Sequence, residues 1–285
     1  MASTKKTVLI TGCSPGGIGN AIARQFHTKG LRVFATARNK DALEDLAGLG
    51  IETLSLDVNS ESNVAEVKAE VERLTSGSLD YLVNNAGRNY TVPALEVNFD
   101  EVQATFETNL FAVMRMCQAF APLLIEAKGT IVQIGSIAGT MPYVYGSVYN
   151  ATKAALHSYS DTLRVELAPF GVKVSVIYTG GVKSRIARTD RQLAADSLYL
   201  PVEDQYQRRV THSQDGAMPT NAFAQSVVGA VLKKSPSRKF WQGNMAWVAW
   251  FIHCFMPSSL WDIVFRRMFQ LDRLAKANVS SKKSS

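Results

Sequence analysis

Short hydrophobic runs alternate along the chain with longer stretches whose apolar residues recur at helical spacing. Six of the short runs predict β-strands, at residues 8–11, 32–36, 52–56, 81–84, 130–135 and 172–178. We expect all six to be buried on both faces. Strands that alternate with helices are typical of a parallel sheet covered by crossover helices. The pattern therefore predicts an α/β fold built on a doubly wound parallel sheet.

The first two strands are joined by an amphipathic helix. Ile18, Ile22 and Phe26 recur at a spacing of four and Gly30 ends the segment, so a helix follows the first strand directly. No repeat or linker interrupts the chain before about residue 179. Residues 180–219 form a polar, Arg-containing excursion, and such a segment beyond a strand of an α/β sheet usually covers a ligand. A helix near 220–232 and a strand at 239–243 complete a domain predicted to span residues 1–240.

The last part of the chain has a different character. Residues 241–261 contain no Asp, Glu, Lys or Arg, and Pro257 separates two short apolar helical patterns. Basic residues flank them, namely Arg238, Lys239, Arg266, Arg267, Lys282 and Lys283. This arrangement predicts a hydrophobic appendage, residues 241–285, that lies among lipid headgroups. A wall of a substrate pocket or a subunit interface would need the same residues, and both alternatives stay open.

Composition indicates a large globular protein. The chain has 285 residues, of which 46% are hydrophobic and 19% charged, which excludes disordered, collagen-like and small disulfide-stapled proteins. Its net charge of +7 suits a cofactor phosphate, an anionic membrane or nucleic acid. The basic residues are dispersed without an aromatic stripe, so nucleic-acid binding is not predicted. Cys13, Cys117 and Cys254 are too far apart to predict a disulfide framework, a zinc site or any other metal site.

The first residues bear on the compartment. The apolar run near the N-terminus is too short for the hydrophobic region of a signal peptide. We therefore expect the main body to face the cytosol, in a reducing compartment. Together with the hydrophobic appendage, this predicts a location on the cytoplasmic face of the endoplasmic reticulum or on lipid droplets, with the cytosol as the alternative.

A glycine-rich segment, TGCSPGGIGN at residues 11–20, lies between the first strand and its helix. Glycines let the backbone turn tightly and approach a pyrophosphate, which the helix N-terminus binds, although a plain tight turn would look the same. Arg38 follows the second strand, where it favours the 2'-phosphate of NADP over NAD; the alternative is a solvated arginine. Asp57, at the end of the third strand, could accept from an adenine amino group or cap a loop.

Two further motifs carry polar side chains to strand ends. The segment NNAG at residues 84–87 could lie flat against a cofactor or be a simple turn. Tyr149 and Lys153 are four residues apart, so they share one helix face, and Ser136 follows the preceding strand. A nearby cation lowers the pKa of a tyrosine toward the range useful for proton transfer. An isolated pair of this kind is more often a surface contact, but the ordered set of motifs favours chemistry.

These motifs together resemble the short-chain dehydrogenase/reductase family over about residues 7–190. The glycine segment is one residue longer than the family's TGxxxGIG, which leaves open whether Gly16 or Gly17 is the middle glycine. The resemblance implies a Rossmann-like catalytic domain in which Tyr149 protonates the carbonyl oxygen and Ser136 hydrogen-bonds it. It also implies that Lys153 binds the nicotinamide ribose and tunes Tyr149, and that Asn109 holds a water of the proton relay.

The resemblance implies an NADP(H) site as well, and dimers or tetramers. The implied cofactor-binding residues are Gly12, Ser14, Gly17, Ile18, Gly19, Arg38, Asp57, Asn85, Ala86, Gly87, Tyr149, Lys153, Val182 and Ser184. The family's usual Pro-Gly after the sixth strand is replaced by Thr179-Gly180-Gly181. Ser184 stands where a threonine often meets the carboxamide, which makes that contact less secure.

Within the family, YTGGV, AMPTNAFAQ and FRRMFQLDRL are most similar to the fungal NADPH-dependent 1-acyldihydroxyacetone phosphate reductases. Fungal secondary-metabolism ketoreductases share the outline. The resemblance implies reduction of a small lipophilic ketone with NADPH; the alternatives are an alcohol dehydrogenase and a non-catalytic NADP-binding protein of a lipid surface. Six cations of the excursion could receive a substrate phosphate or be solvated, namely Lys183, Arg185, Arg188, Arg191, Arg208 and Arg209. His157 is assigned to packing or the surface, with no catalytic role.

Overall fold

The computed structural model describes residues 5–186 and 191–275, and its centre is a seven-stranded parallel sheet. The strands lie in the order β3-β2-β1-β4-β5-β6-β7. Their bounds are β1 Thr7–Ile10, β2 Arg32–Ala37, β3 Glu52–Ser55, β4 Tyr81–Asn84, β5 Thr130–Ile134, β6 Lys173–Thr179 and β7 Lys239–Gln242. The order reverses between β1 and β4, so the carboxyl ends of these strands open a crevice at the switch point.

Ten α-helices lie in the described part of the chain. They are α1 Ile18–Thr28, α2 Glu44–Ala47, α3 Glu61–Thr75, α4 Phe99–Phe106, α5 Ala112–Ala127, α6 Ser147–Leu167, α7 Glu203–His212, α8 Thr220–Val231, α9 Ala246–Phe255 and α10 Ser259–Met268. A π-helical turn, Glu107–Phe111, joins α4 to α5, and a 3-10 turn, Ile137–Thr140, follows β5.

Two hydrophobic cores cover the two faces of the sheet, as expected of a doubly wound fold. One contains Phe26 of α1 and Phe223 of α8 against β1 and β2. The other contains Phe120 of α5 and residues of α3 and α6. The run Phe99–Ala127 is long and apolar enough to cross a membrane by length and composition, but Leu110, Val113, Met116 and Phe120 of this run belong to the second core. The predicted Rossmann-like sheet is confirmed.

The expectation that six strands are buried on both faces is wrong for β3. Glu52, Thr53 and Leu54 are only partly buried and Ser55 is exposed, whereas β1 and β4 are fully buried. The physical reason is position, because β3 lies at the edge of the sheet and pairs on one side only. A short sequence with β-forming residues does not reveal whether its strand has one neighbour or two.

The C-terminal helices pack on the other edge of the sheet. Trp261, Phe265 and Phe269 are buried in a third cluster with Val176 and Tyr178 of β6. The predicted boundary after residue 240 falls inside β7, which pairs with β6 along its length. The inner face of α9 and α10 is therefore continuous with the body of the protein.

Candidate active site

The glycine turn lies at the carboxyl end of β1 and leads into α1. Gly12 and Gly16 have φ angles of +71° and +72°, a left-handed backbone that residues with a side chain rarely adopt. Gly17 has an extended backbone and is the N-cap residue of α1, so Gly17 takes the middle position at the helix N-terminus and Gly16 is the extra residue. The turn thus presents bare backbone and a helix N-terminus to the crevice, which suits a pyrophosphate.

The NNAG segment is fastened directly to this turn. Asn85 Nδ2 donates to the carbonyl oxygens of Thr11 and Gly12, at 2.8 and 2.9 Å. The amides of Asn85 and Ala86 both donate to the Thr11 hydroxyl. A Cβ on Gly19 would collide with Asn85 Nδ2, so Gly19 permits this approach and does not line the cavity, unlike the other predicted cofactor residues. The motifs predicted separately form one hydrogen-bonded cradle.

Arg38 and Asp57 lie where β2 and β3 end. Arg38 is exposed, lines the cavity and makes no ion pair with a residue that the structure describes. Its guanidinium is therefore available to a 2'-phosphate. Asp57 also lines the cavity, and its Oδ1 accepts from the amide of Asn59 at 3.0 Å. Asp57 therefore caps the loop, which was one of its two predicted roles. Its carboxylate also borders the crevice.

The segment after β6 closes the crevice from the other side. Gly180 passes so close to Asn244 that a Cβ would collide with its carbonyl oxygen, so glycine is required where the family pattern departs. Val182 pairs with Met218, and the Ser184 amide donates to Gln214 Oε1 at 3.2 Å. Both predicted residues line the cavity. Together with the glycine cradle they border one continuous cavity at the switch point, where dinucleotides bind in folds of this type.

Asn109 lies in the π-helical turn, 1% exposed. Its Oδ1 accepts from the Arg88 amide at 2.8 Å, and its Nδ2 donates to the Arg88 carbonyl and to the Thr152 hydroxyl. The side chain is thus held behind the NNAG segment and, unlike the other three predicted catalytic residues, does not line the cavity. A π-turn shifts one residue out of helical register, which sequence periodicity does not predict.

The structure brings Ser136, Tyr149 and Lys153 together at the cavity wall. Lys153 Nζ donates to the Ile134 carbonyl at 2.8 Å and lies 5.8 Å from the centroid of the Tyr149 ring. Ser136 Oγ accepts from the Ala138 amide at 3.1 Å, which leaves its own hydrogen to donate. The one-face prediction for Tyr149 and Lys153 agrees with the helix that carries them, α6.

The electrostatics at this wall differ from the expectation that lysine alone acidifies the phenol. Burial raises the pKa of Tyr149, and the contributions that lower it are the hydroxyl of Ser136 and the charge of Arg209. Burial also lowers the pKa of Lys153 to about 8. A charge from α7 therefore assists the tyrosine, which no spacing within α6 could have indicated.

His157 is a buried packing residue, which was one of the two roles predicted for it. Its ring is 6% exposed and lies 4.2 Å from the Tyr178 ring, and its Nε2 accepts from the Ser136 amide at 3.4 Å. A Cβ on Gly135 or Gly139 would come within 2.8 Å of the ring. Burial lowers the pKa of His157 to about 3, so it is neutral and supports the backbone of Ser136.

The cavity continues beyond Tyr149 into a space with a different lining. The whole cavity, with its cofactor end included, has a volume of about 800 Å³. One wall of the space beyond Tyr149 is apolar, formed by Met141, Trp261, Val264, Phe265 and Met268. Two polar groups adjoin this wall: the hydroxyl of Tyr143 and Nδ1 of His212 lie 2.6 Å apart, and the Tyr143 ring packs on Phe265 with centroids 5.4 Å apart. Sequence analysis missed Tyr143 and His212, because both lie outside any motif and are joined only by the fold.

The six cations of the excursion have different surroundings. Arg191 pairs with Glu101, and Arg208 donates to the carbonyl of Met268. Arg185 lines the cavity beside the glycine turn, with its Nε 3.1 Å from the place of a Cβ on Gly16. Lys183 is exposed, and Arg188 lies outside the described residues. Arg209 alone of those described is buried, at 3% exposure, and it lines the cavity next to Tyr143.

Comparison with known proteins agrees with this geometry. The family model described as short chain dehydrogenase matches residues 6–194. The chain belongs to the short-chain dehydrogenase family. The resemblance stated from the motifs is confirmed, and this short-chain dehydrogenase is an oxidoreductase.

Relatives and a solved structure extend the match over the whole chain. The short-chain dehydrogenase srdE of Neurospora crassa is 42% identical over 280 residues, 98% of this chain and 97% of its own. The NADPH-dependent 1-acyldihydroxyacetone phosphate reductase of Schizosaccharomyces pombe is 47% identical over 203 residues, 69% of each chain. A short-chain dehydrogenase from Streptomyces avermitilis superposes with a TM-score of 0.78 at 27% identity, covering 97% of this chain and 99% of that one.

Proposed function

We propose that this short-chain dehydrogenase uses NADPH to reduce a lipophilic ketone, a 1-acyldihydroxyacetone phosphate, to the corresponding 1-acylglycerol 3-phosphate. The cofactor is NADP(H): Arg38 lines the cavity at the end of β2 with no ion-pair partner among the described residues, and the S. pombe relative is named as NADPH-dependent. The observation that carries the substrate proposal is the cavity itself. It joins the Ser136–Tyr149 wall to an apolar wall from α10 and to a buried cation, Arg209.

The chain's own residues supply binding and the proton. Bound NADPH supplies the hydride. The Tyr149 hydroxyl donates a proton to the carbonyl oxygen, and the Ser136 hydroxyl holds that oxygen with its free hydrogen. Lys153, fixed by the Ile134 carbonyl, keeps a positive charge beside the phenol, and Asn109 holds the Arg88 backbone in place behind the site.

The function is tested by NADPH consumption over a small panel of ketones. The panel contains 1-hexadecanoyl-dihydroxyacetone phosphate, the same compound without its phosphate, and an aryl alkyl ketone. Each ketone is assayed with the wild-type enzyme, and the rate with Tyr149→Phe gives the background. We expect the acyl-dihydroxyacetone compounds to be reduced fastest. Turnover of the aryl ketone alone would contradict the glycerolipid substrate, and no turnover of any ketone would favour a non-catalytic NADP-binding protein.

A second candidate function is the reduction of a fungal secondary-metabolite ketone by the same site. It is favoured by coverage, because the N. crassa relative aligns with 98% of this chain and the S. pombe reductase with 69%. The helices α9 and α10, which line the substrate side of the cavity, lie near the C-terminus. A relative that aligns over nearly the whole chain therefore includes these helices. The same panel separates the two, since only the second candidate predicts a preference for the aryl ketone. Reduction of NADP⁺ in the presence of the product alcohols tests whether the enzyme works in the reverse direction, as an alcohol dehydrogenase.

We further propose that the outer face of α9 and α10 contacts a lipid surface at the cytoplasmic side of the endoplasmic reticulum or a lipid droplet. Trp247 is 68% exposed and Phe255 64%, while Trp261 on the inner face is 6% exposed. Exposed arginines, Arg266 and Arg267, end α10 beside this apolar face. Aromatic side chains with flanking cations suit a monotopic contact with anionic headgroups. Lys282 and Lys283 lie outside the described residues.

Point variants test this contact without cutting the core, since removing residues 241–285 would also remove Trp261. We expect Trp247→Ser with Phe255→Ser to lower co-sedimentation with phosphatidylcholine vesicles containing phosphatidylserine by about tenfold or more. Phe99→Ser, with 74% exposure on α4, is the matched control. Equal sedimentation of both variants would contradict the lipid contact, and a homodimer lost in the double variant on size exclusion would assign the face to a second copy.

A further inference from the structure

Arg209 is a buried cation inside the substrate end of the cavity. It lies on α7, is 3% exposed and lines the cavity with Tyr149. Its Nε donates to the Val144 carbonyl at 2.9 Å, and its guanidinium carbon lies 3.4 Å from the centroid of the Tyr143 ring. These two contacts fix the plane of the guanidinium against the cavity wall.

No acidic side chain within residues 5–186 and 191–275 forms an ion pair with Arg209. The Nε bond is also the only hydrogen bond that its guanidinium makes to this part of the chain. An arginine stays protonated at neutral pH and carries five N–H donors. A buried charge is costly unless it is paired, so the unused Nη groups form a prepared site for an anion.

Four other cations among the described residues line the cavity, two that already have a partner and two at the cofactor end: Arg88, which pairs with Glu101, Lys153, which donates to the Ile134 carbonyl, Arg38 and Arg185. Arg38 follows β2, and Arg185 lies beside Gly16 of the glycine turn. Arg209 instead borders the start of α6, the helix that carries Tyr149, because its Nη2 lies 3.2 Å from the place of a Cβ on the N-cap residue Gly146. Its charge also lowers the pKa of Tyr149. An anion at Arg209 is therefore close to the position of the reacting carbonyl and separate from the phosphates of the dinucleotide.

We propose that Arg209 binds a phosphate monoester carried next to the substrate's carbonyl and so selects phosphorylated ketones; this inference rests on the proposed function. In a 1-acyldihydroxyacetone phosphate one CH₂–O link separates the carbonyl carbon from phosphorus. With the carbonyl at Tyr149, the phosphate reaches toward Arg209. The acyl chain then extends along Trp261 and Phe265 of the apolar wall, which adjoins the Arg209 site at Tyr143.

The test compares two ketones that differ only in the phosphate. For wild type, Arg209→Gln and Arg209→Lys, kcat/KM is measured with 1-hexadecanoyl-dihydroxyacetone phosphate and with 1-hexadecanoyl-dihydroxyacetone. Charge-assisted hydrogen bonds of this type correspond to about 10- to 100-fold in affinity. We expect Arg209→Gln to lower the ratio of kcat/KM for the phosphorylated ketone to kcat/KM for the neutral ketone by that factor. Arg209→Lys should lower this ratio less, because lysine keeps the positive charge but lacks the paired N–H donors of the guanidinium.

Arg208→Gln is the matched control, since Arg208 is exposed and donates to the Met268 carbonyl. The ratio of kcat/KM for the two ketones should be the same in Arg208→Gln as in the wild type. A merely structural role for Arg209 would lower both rates together and leave the ratio unchanged, which would overturn the proposal. Thermal unfolding of each variant identifies loss of fold.

The two proposals can fail separately. If wild type reduces the neutral ketone at least as well as the phosphorylated one, ketone reduction stands and the phosphate site is wrong. If wild type reduces neither, the proposed function fails, and inorganic phosphate is titrated into protein saturated with NADP⁺. A rise in unfolding temperature in wild type but not in Arg209→Gln then supports an anion site, whereas equal behaviour of the two overturns it.

Discussion

The two ends of the cavity are built by different forces. At the cofactor end, hydrogen bonds between side chains and backbone hold each group, as Asn85 does to Thr11 and Gly12 and Lys153 does to Ile134. At the substrate end, apolar packing dominates, with Trp261 stacked on Phe265 at a centroid distance of 5.3 Å. Hydrogen bonds are directional, so few residue types can replace each partner at the cofactor end. Apolar packing at the substrate end tolerates many apolar residues of suitable volume.

The contrast assigns different tasks to the two ends. The reaction chemistry belongs to the carboxyl edge of the sheet, where the backbone itself places the groups. The proposed function gives the choice of ketone to α7, α9 and α10, which line the cavity around that edge. Variants at the cofactor end should therefore change catalysis or cofactor choice with little effect on stability, and variants at the substrate end should affect stability and substrate range.

The largest expected effect is at the proton donor. Tyr149→Phe removes the hydroxyl and keeps the ring, so we expect kcat to fall by about 10³-fold while the Kd for NADPH changes little. Steady-state kinetics with the panel ketones and NADPH fluorescence titration measure the two quantities. Turnover at the wild-type rate would place the proton donor elsewhere, and equal loss of NADPH binding would mean that the variant perturbs the cradle.

The next effect tests whether α10 belongs to the core. Trp261→Ala empties a buried position next to Phe265, and we expect the free energy of unfolding to fall by about 3 kcal/mol. Trp247→Ala, at 68% exposure on the neighbouring helix, should change it by less than about 0.5 kcal/mol. Urea denaturation gives both values. Similar values for the two variants would show that the inner face contributes no more stability than the outer face.

A smaller effect is expected for cofactor choice. Arg38→Leu removes the exposed cation at the end of β2, and we expect the KM for NADPH to rise by about 10- to 100-fold. The KM for NADH, which has no 2'-phosphate, should change by less than about threefold. Arg73→Leu, an exposed arginine on α3 that pairs with Glu70, is the control. Equal changes for both cofactors would remove Arg38 from the 2'-phosphate site.

The smallest effect concerns pH. His157 has a pKa of about 3 in the fold and about 6.5 when unfolded, so the unfolded state binds the proton first as the pH falls. Its stability contribution is complete above about pH 6.5 and is lost as the pH falls toward 3. Between pH 7.5 and 5.5 we expect a loss of about 1 kcal/mol that is absent in His157→Gln, whose Oε1 can accept from Ser136.

Urea denaturation at the two pH values measures this difference, with the exposed His253→Gln as the control. An unchanged pH dependence in His157→Gln would mean that the histidine does not resist protonation. Activity of the folded enzyme should show no loss from His157 over this range, because with a pKa of about 3 its imidazole stays neutral and continues to accept from the Ser136 amide.

Sequence analysis predicted the cofactor end well. The six predicted strands begin and end within one residue of those observed, and Tyr149 and Lys153 share the wall that their spacing indicated. It did not predict that Asn109 lies behind the cavity, since that depends on a π-turn. It listed Arg209 among six cations without distinguishing it, because burial of one arginine on a helix depends on what covers that helix.

The amino-acid sequence by itself determined the sheet, the glycine turn and the order of the catalytic motifs. These features depend on local spacing, on backbone freedom at Gly12 and on hydrogen bonds between neighbouring strand ends. Only the tertiary structure decided which arginine is buried in the cavity wall, which face of α10 is buried and that His157 supports Ser136. Each of these arises from contacts between segments distant in sequence, and such contacts depend on how complete elements pack.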